Sequence, residues 1–283
     1  MKIASLIILL VCCTHSFAQL NQIDAKGRKQ GPWQKNYPGT SVLQYKGAFL
    51  NDKPVGKFIY NFDSGQKKAE LVHGLPGGCS SVLLFYEDGQ LLADGFYKGE
   101  KKDSLWYNYA QNGELISAVN YQLDVLHGKS VFYFSEGQLL EQKLQIQKVV
   151  NYTNGKLNGS YQENFYNGKP KLKGTYQDGM RMGLWTEFYN TGEVLSKVNY
   201  LNDLPHGWTT VYDKLGNIKK RVMYRDGYEL TDKELRALNL DAKVSGAACV
   251  HWHDLALLVE EAGLEVRIIL VESADRAAEC AER

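Results

Sequence analysis

The chain has 283 residues, and its 33 lysines and arginines nearly cancel 32 aspartates and glutamates. This balance provides no strong field toward nucleic acid or an anionic membrane surface, so we expect no nucleic-acid partner. The chain holds 18 tyrosines and 27 glycines but only six prolines, a composition typical of aromatic strands separated by glycine turns.

Residues 1–18 predict a signal peptide. Lys2 supplies the positive start, an apolar run over 3–13 follows, and Ser16 and Ala18 place small residues before a cleavage point near Ala18. The run is too short to span a bilayer, and we expect no transmembrane segment later in the chain. The mature protein is therefore expected to be exported: periplasmic, cell-surface or secreted. Residues 19–30 would form a linker.

Three ladders of residues reveal an internal repeat, which decides the fold. The common step is 24 residues, and each ladder has one step of 31 between the same two repeats. The ladders are Gly65, Gly89, Gly113, Gly137, Gly168, Gly192 and Gly216; Tyr97, Tyr121, Tyr152, Tyr176, Tyr200 and Tyr224; and Gly128, Gly159, Gly183 and Gly207.

One unit, beginning at Gly183, shows the local structure. Residues 184–189 favour a strand that ends at a turn containing Gly192, because glycine can adopt the positive φ of a tight hairpin. Residues 194–200 then alternate along a return strand, and the Asn202-Asp203 pair makes a second turn. A lone hairpin is marginal in water, so each unit must pack against its neighbours.

The position of Trp185 is occupied by mostly large residues in the other units. We predict that this column and the tyrosine ladder form the spine of the sheet, although exposed rings could instead bind sugar or peptide. The expected fold is all-β: an elongated, twisted antiparallel sheet of tandem hairpins over 31–230. The column reads Trp33, Phe58, Val82, Trp106, Ser130, Tyr161, Trp185 and Thr209.

The repeat resembles the MORN family, and in particular its divergent form in exported bacterial proteins. The family element, Tyr-x-Gly-x-x-x-Gly-x-Trp, is matched most closely by Tyr176, Gly179, Gly183 and Trp185. The resemblance implies a twisted hairpin sheet with a binding or scaffolding role and no catalysis. Weaker copies start at Phe49, Tyr97, Tyr121, Tyr152 and Tyr200.

Two departures from the pattern make local irregularity an expectation. His73 replaces the ladder tyrosine and Ser80 the following glycine in one unit, and an insertion near 141–149 interrupts another.

Residues 231–283 change in composition and predict a small α/β tail. Thr231 and Glu234 form a capping-box pattern, so a helix should begin there. Strands over 247–253 and 266–271 and helices from Asp254 and over 273–283 are expected to follow. We predict that the tail docks on the last hairpin and covers its open edge. The alternative is a foreign or mis-joined segment.

The tail also holds the most reactive-looking string in the chain. On a strand, Cys249, His251 and His253 would share a face and could hold zinc or copper. The alternative is an ordinary strand that enters a capped helix. With Cys79 and Cys280, the mature chain has an odd, scattered set of cysteines rather than a disulfide framework.

Other candidate residues are better explained by structure than by chemistry. His127 and His206 each precede a repeat glycine and are expected in turns, since no nucleophile and carboxylate accompany them. Three basic clusters are compatible with phosphate or lipid contacts, but solvated turns and strand faces are favoured because acidic residues lie nearby. The clusters are Lys67-Lys68, Lys101-Lys102 and Lys219-Lys220-Arg221.

These observations favour a non-catalytic, exported binding or scaffold protein that holds a protein or glycan partner in the cell envelope. We assign no catalytic, cofactor or metal site from the sequence. The alternatives are a metal-dependent catalytic or sensing tail on a repeat stalk, and repeats that serve only as spacers. The oligomeric state does not follow from the sequence.

Overall fold

A computed structural model describes residues 19–75, 78–135 and 144–238. The chain divides into two compact units, 1–90 and 91–283, and the boundary falls inside the repeat region. The predicted strand over 247–253, the later tail elements and the candidate ligands Cys249, His251 and His253 lie outside the described residues. The predicted signal peptide and residues 136–143, which include the start of the insertion, also lie outside them.

The described secondary structure consists almost entirely of strands. The first unit contains β1 (Gln22–Ile23), β2 (Lys29–Asn36), β3 (Leu43–Leu50), β4 (Lys53–Asn61), β5 (Lys67–Leu75) and β6 (Cys79–Phe85). The second contains β7 (Leu91–Lys98), β8 (Lys101–Tyr109), β9 (Leu115–Gln122), β10 (Val125–Leu126), β11 (Gly128–Tyr133), β12 (Ile146–Thr153), β13 (Lys156–Leu157), β14 (Gly159–Asn164), β15 (Pro170–Gln177), β16 (Met180–Phe188), β17 (Val194–Leu201), β18 (Leu204–Tyr212), β19 (Ile218–Arg225), β20 (Tyr228–Glu229) and the helix α1 (Asp232–Ala237).

The strand pairings confirm the all-β fold of antiparallel hairpins. Within the hairpin that begins near Gly183, β16 pairs with β17, and β17 then pairs with β18 of the next hairpin. The same alternation of pairing within and between hairpins runs through both units. The predicted strand over 184–189 begins earlier than expected, at Met180.

One set of turns joins the two strands of a hairpin, and six of the described turns use a predicted ladder glycine: Gly65, Gly89, Gly113, Gly168, Gly192 and Gly216. At Gly192, φ is 106°, and its N–H donates to the carbonyl of Tyr189 at 2.9 Å, while Tyr189 donates to Glu193 at 2.8 Å. This is the three-residue hairpin loop, a turn followed by a glycine bulge. The first loop is one residue longer, because the N–H of Tyr37 donates to the carbonyl of Val42.

The other set of turns joins consecutive hairpins, and most of the described ones hold two residues that both have positive φ; at Gly99-Glu100 only the glycine does. Asn202 and Asp203 have φ values of 51° and 67°, and Asp178 and Gly179 have values of 51° and 91°. Such type I′ turns favour Asn, Asp and Gly, since these residues tolerate the left-handed region best. The prediction of a turn at Asn202-Asp203 is therefore confirmed.

The core is a ladder of rings contributed by the two predicted columns. The Trp185 ring packs edge-on against Tyr176 of the previous hairpin at 5.0 Å and against Tyr200 of its own at 6.2 Å. In the first unit Phe58 contacts Phe49 at 5.2 Å and His73 at 5.2 Å in the same edge-on manner. These rings form the predicted spine of the sheet, since Trp106 is 0% exposed, Phe58 1% and Trp185 4%.

A glycine lies beneath each of the three most deeply buried rings. A Cβ built on Gly47 would lie 2.5 Å from the Phe58 ring, and Gly174 allows Trp185 an even closer approach. Neither glycine has positive φ, so the close approach of the ring, and not the backbone conformation, excludes a side chain here. Gly95 and Trp106 repeat the arrangement.

Short elements flank the repeats. Within residues 19–30, β1 pairs with the start of β2, and Asn21 accepts a hydrogen bond from the backbone of Gln34 at 2.8 Å, so this stretch extends the first hairpin. After the last hairpin, the Thr231 hydroxyl accepts from the backbone of Glu234 while the Glu234 carboxylate accepts from Thr231. The predicted capping box and the start of the helix are thus confirmed.

Candidate interaction surfaces

Each strand presents alternate residues to two faces of its sheet. We define the ring face in each unit as the side occupied by the column of Trp185 and the ladder tyrosines, and the open face as the opposite side. Thr186 and Lys197 pair across β16 and β17 on the open face, next to the Trp185–Val198 pair on the ring face. The ring face is consumed by the core, which leaves the open face and the two sets of turns as the candidate surfaces.

The type I′ turns stack on one another through a repeated hydrogen bond. The N–H of Asp203 donates to the carbonyl of Arg181, and the Asp203 carboxylate accepts the N–H of Arg181 at 2.9 Å. Asp124 forms the same two hydrogen bonds with Lys102, and Asp52 forms them with Lys29. We call this pair of hydrogen bonds the aspartate clasp. Where glycine takes the second position, as at Gly227, only the backbone bond remains.

Each clasped residue is basic, and each places its cation on a ring of the same hairpin. The Arg181 guanidinium lies 4.0 Å from the Tyr200 ring centre, and the Lys102 ammonium lies 4.2 Å from that of Trp106. Lys29 lies 4.9 Å from the Trp33 ring centre in the first unit. A cation over an aromatic face is attracted by the ring quadrupole. The three hairpins with this clasp are the three with tryptophan in the core column.

Hydrogen bonding and burial set the protonation of several groups. The backbone N–H and guanidinium of Arg181 lower the pKa of Asp203, and the ammonium of Lys57 lowers the pKa of Glu70. Burial, with the neighbouring Glu163 carboxylate, raises the pKa of Tyr161 to about 12. Each of these groups therefore keeps its ordinary charge state near neutral pH.

The two departures from the repeat, His73 and Ser80, lie next to each other. His73 Nδ1 lies 2.9 Å from the Ser80 hydroxyl, and burial lowers the pKa of His73, so the neutral ring is favoured. The His73 Nε2 atom is buried without a hydrogen-bond partner. The pair therefore lacks the carboxylate that orients histidine in a catalytic triad. It fills the places of a ring-ladder tyrosine and a glycine.

The basic clusters lie on strands, but the two histidines do not lie in turns as expected: His206 is part of β18, and His127 lies between β10 and β11. His206 Nδ1 lies 3.2 Å from a carboxylate oxygen of Asp226 in the next type I′ turn. Lys67 pairs with Glu70 at 3.3 Å. Lys102 is not the solvated residue that was expected, because its backbone is hydrogen-bonded to Asp124 and its ammonium lies over the Trp106 ring.

A shallow groove opens on the first unit. It encloses about 670 Å³ and is bordered by apolar side chains that include Leu20, Ala48, Val55 and Ile59, with Lys46 and Lys57 at its margin. Cys79, also in this unit, is a half-buried free thiol.

Among the described residues, no group of three or more His, Cys, Asp or Glu residues is placed to hold a metal ion. Within the same part of the chain, no helix is long and apolar enough to cross a membrane.

The aspartate clasp is the feature that sequence reasoning missed. Asp203 follows Arg181 by 22 residues, and Asp124 follows Lys102 by the same interval. A search of the repeat for an acidic residue 22 positions after a basic one, two fewer than the period, could have found it.

Comparison with known proteins agrees with this geometry. No curated protein matches the chain significantly. The family model described as a MORN repeat variant matches residues 183–202, which span β16 from Gly183, its three-residue turn and the whole of β17. The resemblance seen in the sequence is confirmed: residues 183–202 match a MORN repeat variant, and the other described hairpins repeat the antiparallel arrangement found there.

Proposed function

We propose that this protein is a non-catalytic, exported module whose open face binds a protein or glycan partner in the cell envelope. A binding or structural role follows from the MORN repeat itself, and the division between the two faces supports the finer proposal. The residues that define the repeat are used in the core, as the ring columns are, or in the turns, as the ladder glycines are. The residues that vary between repeats lie on the open face in fixed register, as in other repeat proteins that bind through an extended surface.

Variation along one open-face column illustrates this division. Successive hairpins of the second unit place Asp94, Ala118, Val149, Lys173, Lys197 and Arg221 at the same position of the return strand. The neighbouring ring-face position holds only Gly or Val in these hairpins. The ring-face position of the return strand thus stays small and apolar while the open-face position changes in size and charge, which suits recognition of a partner better than a role as a uniform spacer.

Export is tested by the mass of the mature chain. The full-length protein, produced in a bacterium with a Sec pathway, should lose residues 1–18 and begin at Gln19. An Ala18→Trp variant should keep the leader, since a bulky residue blocks the cleavage point. An intact leader on a cytosolic wild-type protein would contradict export.

Binding through the open face is tested by site-specific photo-crosslinking in cells. A crosslinking amino acid at Thr175, which is exposed on the open face, should give a discrete higher-mass product. The same group at the adjacent Tyr176, which is part of the ring ladder, is the matched control and should give none. Identical patterns from both positions would count against an open-face partner.

A further inference from the structure

Five side chains form a straight row across the open face of the last three hairpins. Lys173 pairs with Thr186, which pairs on its other side with Lys197. Lys197 pairs with Thr210, and Thr210 pairs with Arg221. The row therefore alternates cation and hydroxyl over five neighbouring strands, and we call it the cation row.

The 24-residue period sets the spacing of the three cations. Because each cation lies on every second strand, consecutive cations are separated by two strand spacings, or roughly 10 Å. An extended peptide places residues of one face only about 7 Å apart and does not match this interval. An acidic polysaccharide with one carboxylate on every second sugar carries its charges two pyranose rings apart, which is on the scale of the row.

The surroundings of the row leave its outer cations available. No described carboxylate forms an ion pair with Lys173 or Arg221, and both residues are exposed. The carboxylates of Glu163 and Asp203 are engaged elsewhere, with Lys171 and Arg181. Earlier hairpins of the second unit place Ala118 and Val149 in this column, so the positive charge is confined to the end of the unit.

Aromatic rings lie beside both outer cations. The Lys173 ammonium is 5.9 Å from the Phe188 ring centre, and the Arg221 guanidinium is 4.2 Å from the centre of the Trp208 ring. Amphipathic rings can contact the C–H faces of sugars, and the half-buried Thr186 offers a hydroxyl for hydrogen bonding. Rings, hydroxyls and regularly spaced cations together are the chemistry that an acidic sugar chain requires.

We propose that the cation row binds an acidic polysaccharide that carries one carboxylate per disaccharide. This inference rests on the proposed open-face binding role and names the partner for it. The polymer would run across the strands, with its carboxylates on Lys173, Lys197 and Arg221.

The proposal is tested with the full chain and fluorescently labelled hyaluronan octasaccharide, whose carboxylates alternate along the chain. Binding is expected at low ionic strength and should weaken with added salt, since exposed charge pairs are screened. Replacing Lys173, Lys197 and Arg221 together by Gln should weaken binding about tenfold, because each lost pair is solvent-exposed. The matched control replaces Lys156, Lys214 and Lys220, which lie outside the row, and should change affinity less than about twofold.

Further ligands distinguish the partner class. A neutral cello-oligosaccharide and a hexaglutamate peptide should bind more weakly than hyaluronan. Equal loss in both triple variants, tighter binding of hexaglutamate, or no binding of hyaluronan would each overturn the assignment. If the Thr175 crosslink still forms in cells under any of those outcomes, only the row is refuted. If that crosslink also fails, the open-face binding function fails with it.

Discussion

Two positions in the second unit fill the same site in the core in opposite ways. At one, Gly174 lies beneath the large ring of Trp185. At the other, Val119 lies on β9 opposite Ser130 of β11, next to the Val131–Ala118 pair. Trp185 and Ser130 are both buried, at 4% and 0% exposure. A small residue on one strand is thus balanced by a larger one on its neighbour.

This difference shows that side chains from adjacent hairpins together fill one volume in the core. In the first unit, Gly47 accompanies the large Phe58, while Leu71 pairs with the smaller Val82. The core column therefore varies because each residue compensates for the return strand before it. Tyr161 follows the buried Val150 and, unlike the buried tryptophans, is only half-buried.

The largest effect on stability is expected from a substitution in the closely packed Gly174–Trp185 pair. Gly174→Val should lower the free energy of unfolding by about 3 kcal/mol, because the added side chain overlaps the Trp185 ring in a packed core. Urea unfolding followed by circular dichroism measures the change.

A double variant checks that the loss arises from shared volume. Combined with Trp185→Ser, Gly174→Val recreates the Val119–Ser130 arrangement and should cost at least about 1 kcal/mol less than the sum of the two single changes. Strictly additive losses would show that the two hairpins pack independently.

A reciprocal pair of variants separates backbone strain from packing. Ser104 occupies the repeat-glycine position before Trp106 with φ of 63°, and Gly183 occupies it before Trp185 with φ of 64°. Ser104→Gly should raise the free energy of unfolding by about 1 kcal/mol and Gly183→Ser should lower it by a similar amount, since only glycine adopts this region freely. Thermal melts of both variants measure this. Shifts of the same sign would contradict the explanation.

A smaller effect is expected at the Val119–Ser130 pair. The Ser130 hydroxyl is fully buried and has no hydrogen-bond partner. Ser130→Ala should therefore raise the free energy of unfolding by up to about 1 kcal/mol, because an unsatisfied polar group is removed. Ser135→Ala, at an exposed position, is the control and should have no effect in urea titrations. A clear loss in Ser130→Ala would reveal a hydrogen bond to this hydroxyl.

The smallest effect on stability is expected from the Asp203–Arg181 clasp. The pKa of Asp203 is lowered in the folded state from its ordinary 3.8, so its contribution to stability is present above that value and is lost as the pH falls through the folded-state pKa. Between pH about 5 and about 3, wild-type stability should therefore fall more than that of Asp203→Asn. Melting temperatures across this range measure the difference, and parallel curves would contradict it.

Local signals predicted the hairpins well. Glycine ladders, the Asn202-Asp203 turn and the Thr231–Glu234 capping box each act within a few residues, so their spacing alone indicated the structure. The Gly174–Trp185 contact and the Asp203–Arg181 clasp join residues of neighbouring hairpins. Both contacts depend on the register between strands of neighbouring hairpins. A bulge near each repeat glycine shifts this register, as it does between Lys173 and Thr175 on β15. The cation row requires the register of five strands, which sequence periodicity does not provide.

The stacked type I′ turns determine where the repeat can accept insertions or deletions. In the second unit, five of these turns bond to a residue beside the turn before, as Asp203 does to Arg181, so an insertion in them would break such a contact. The other set of turns varies in length in both units: the first loop of the first unit has an added residue, and in the second unit the longer 31-residue step lies between Tyr133 and Ile146. New recognition loops should therefore evolve, or be grafted, in that set of turns alone.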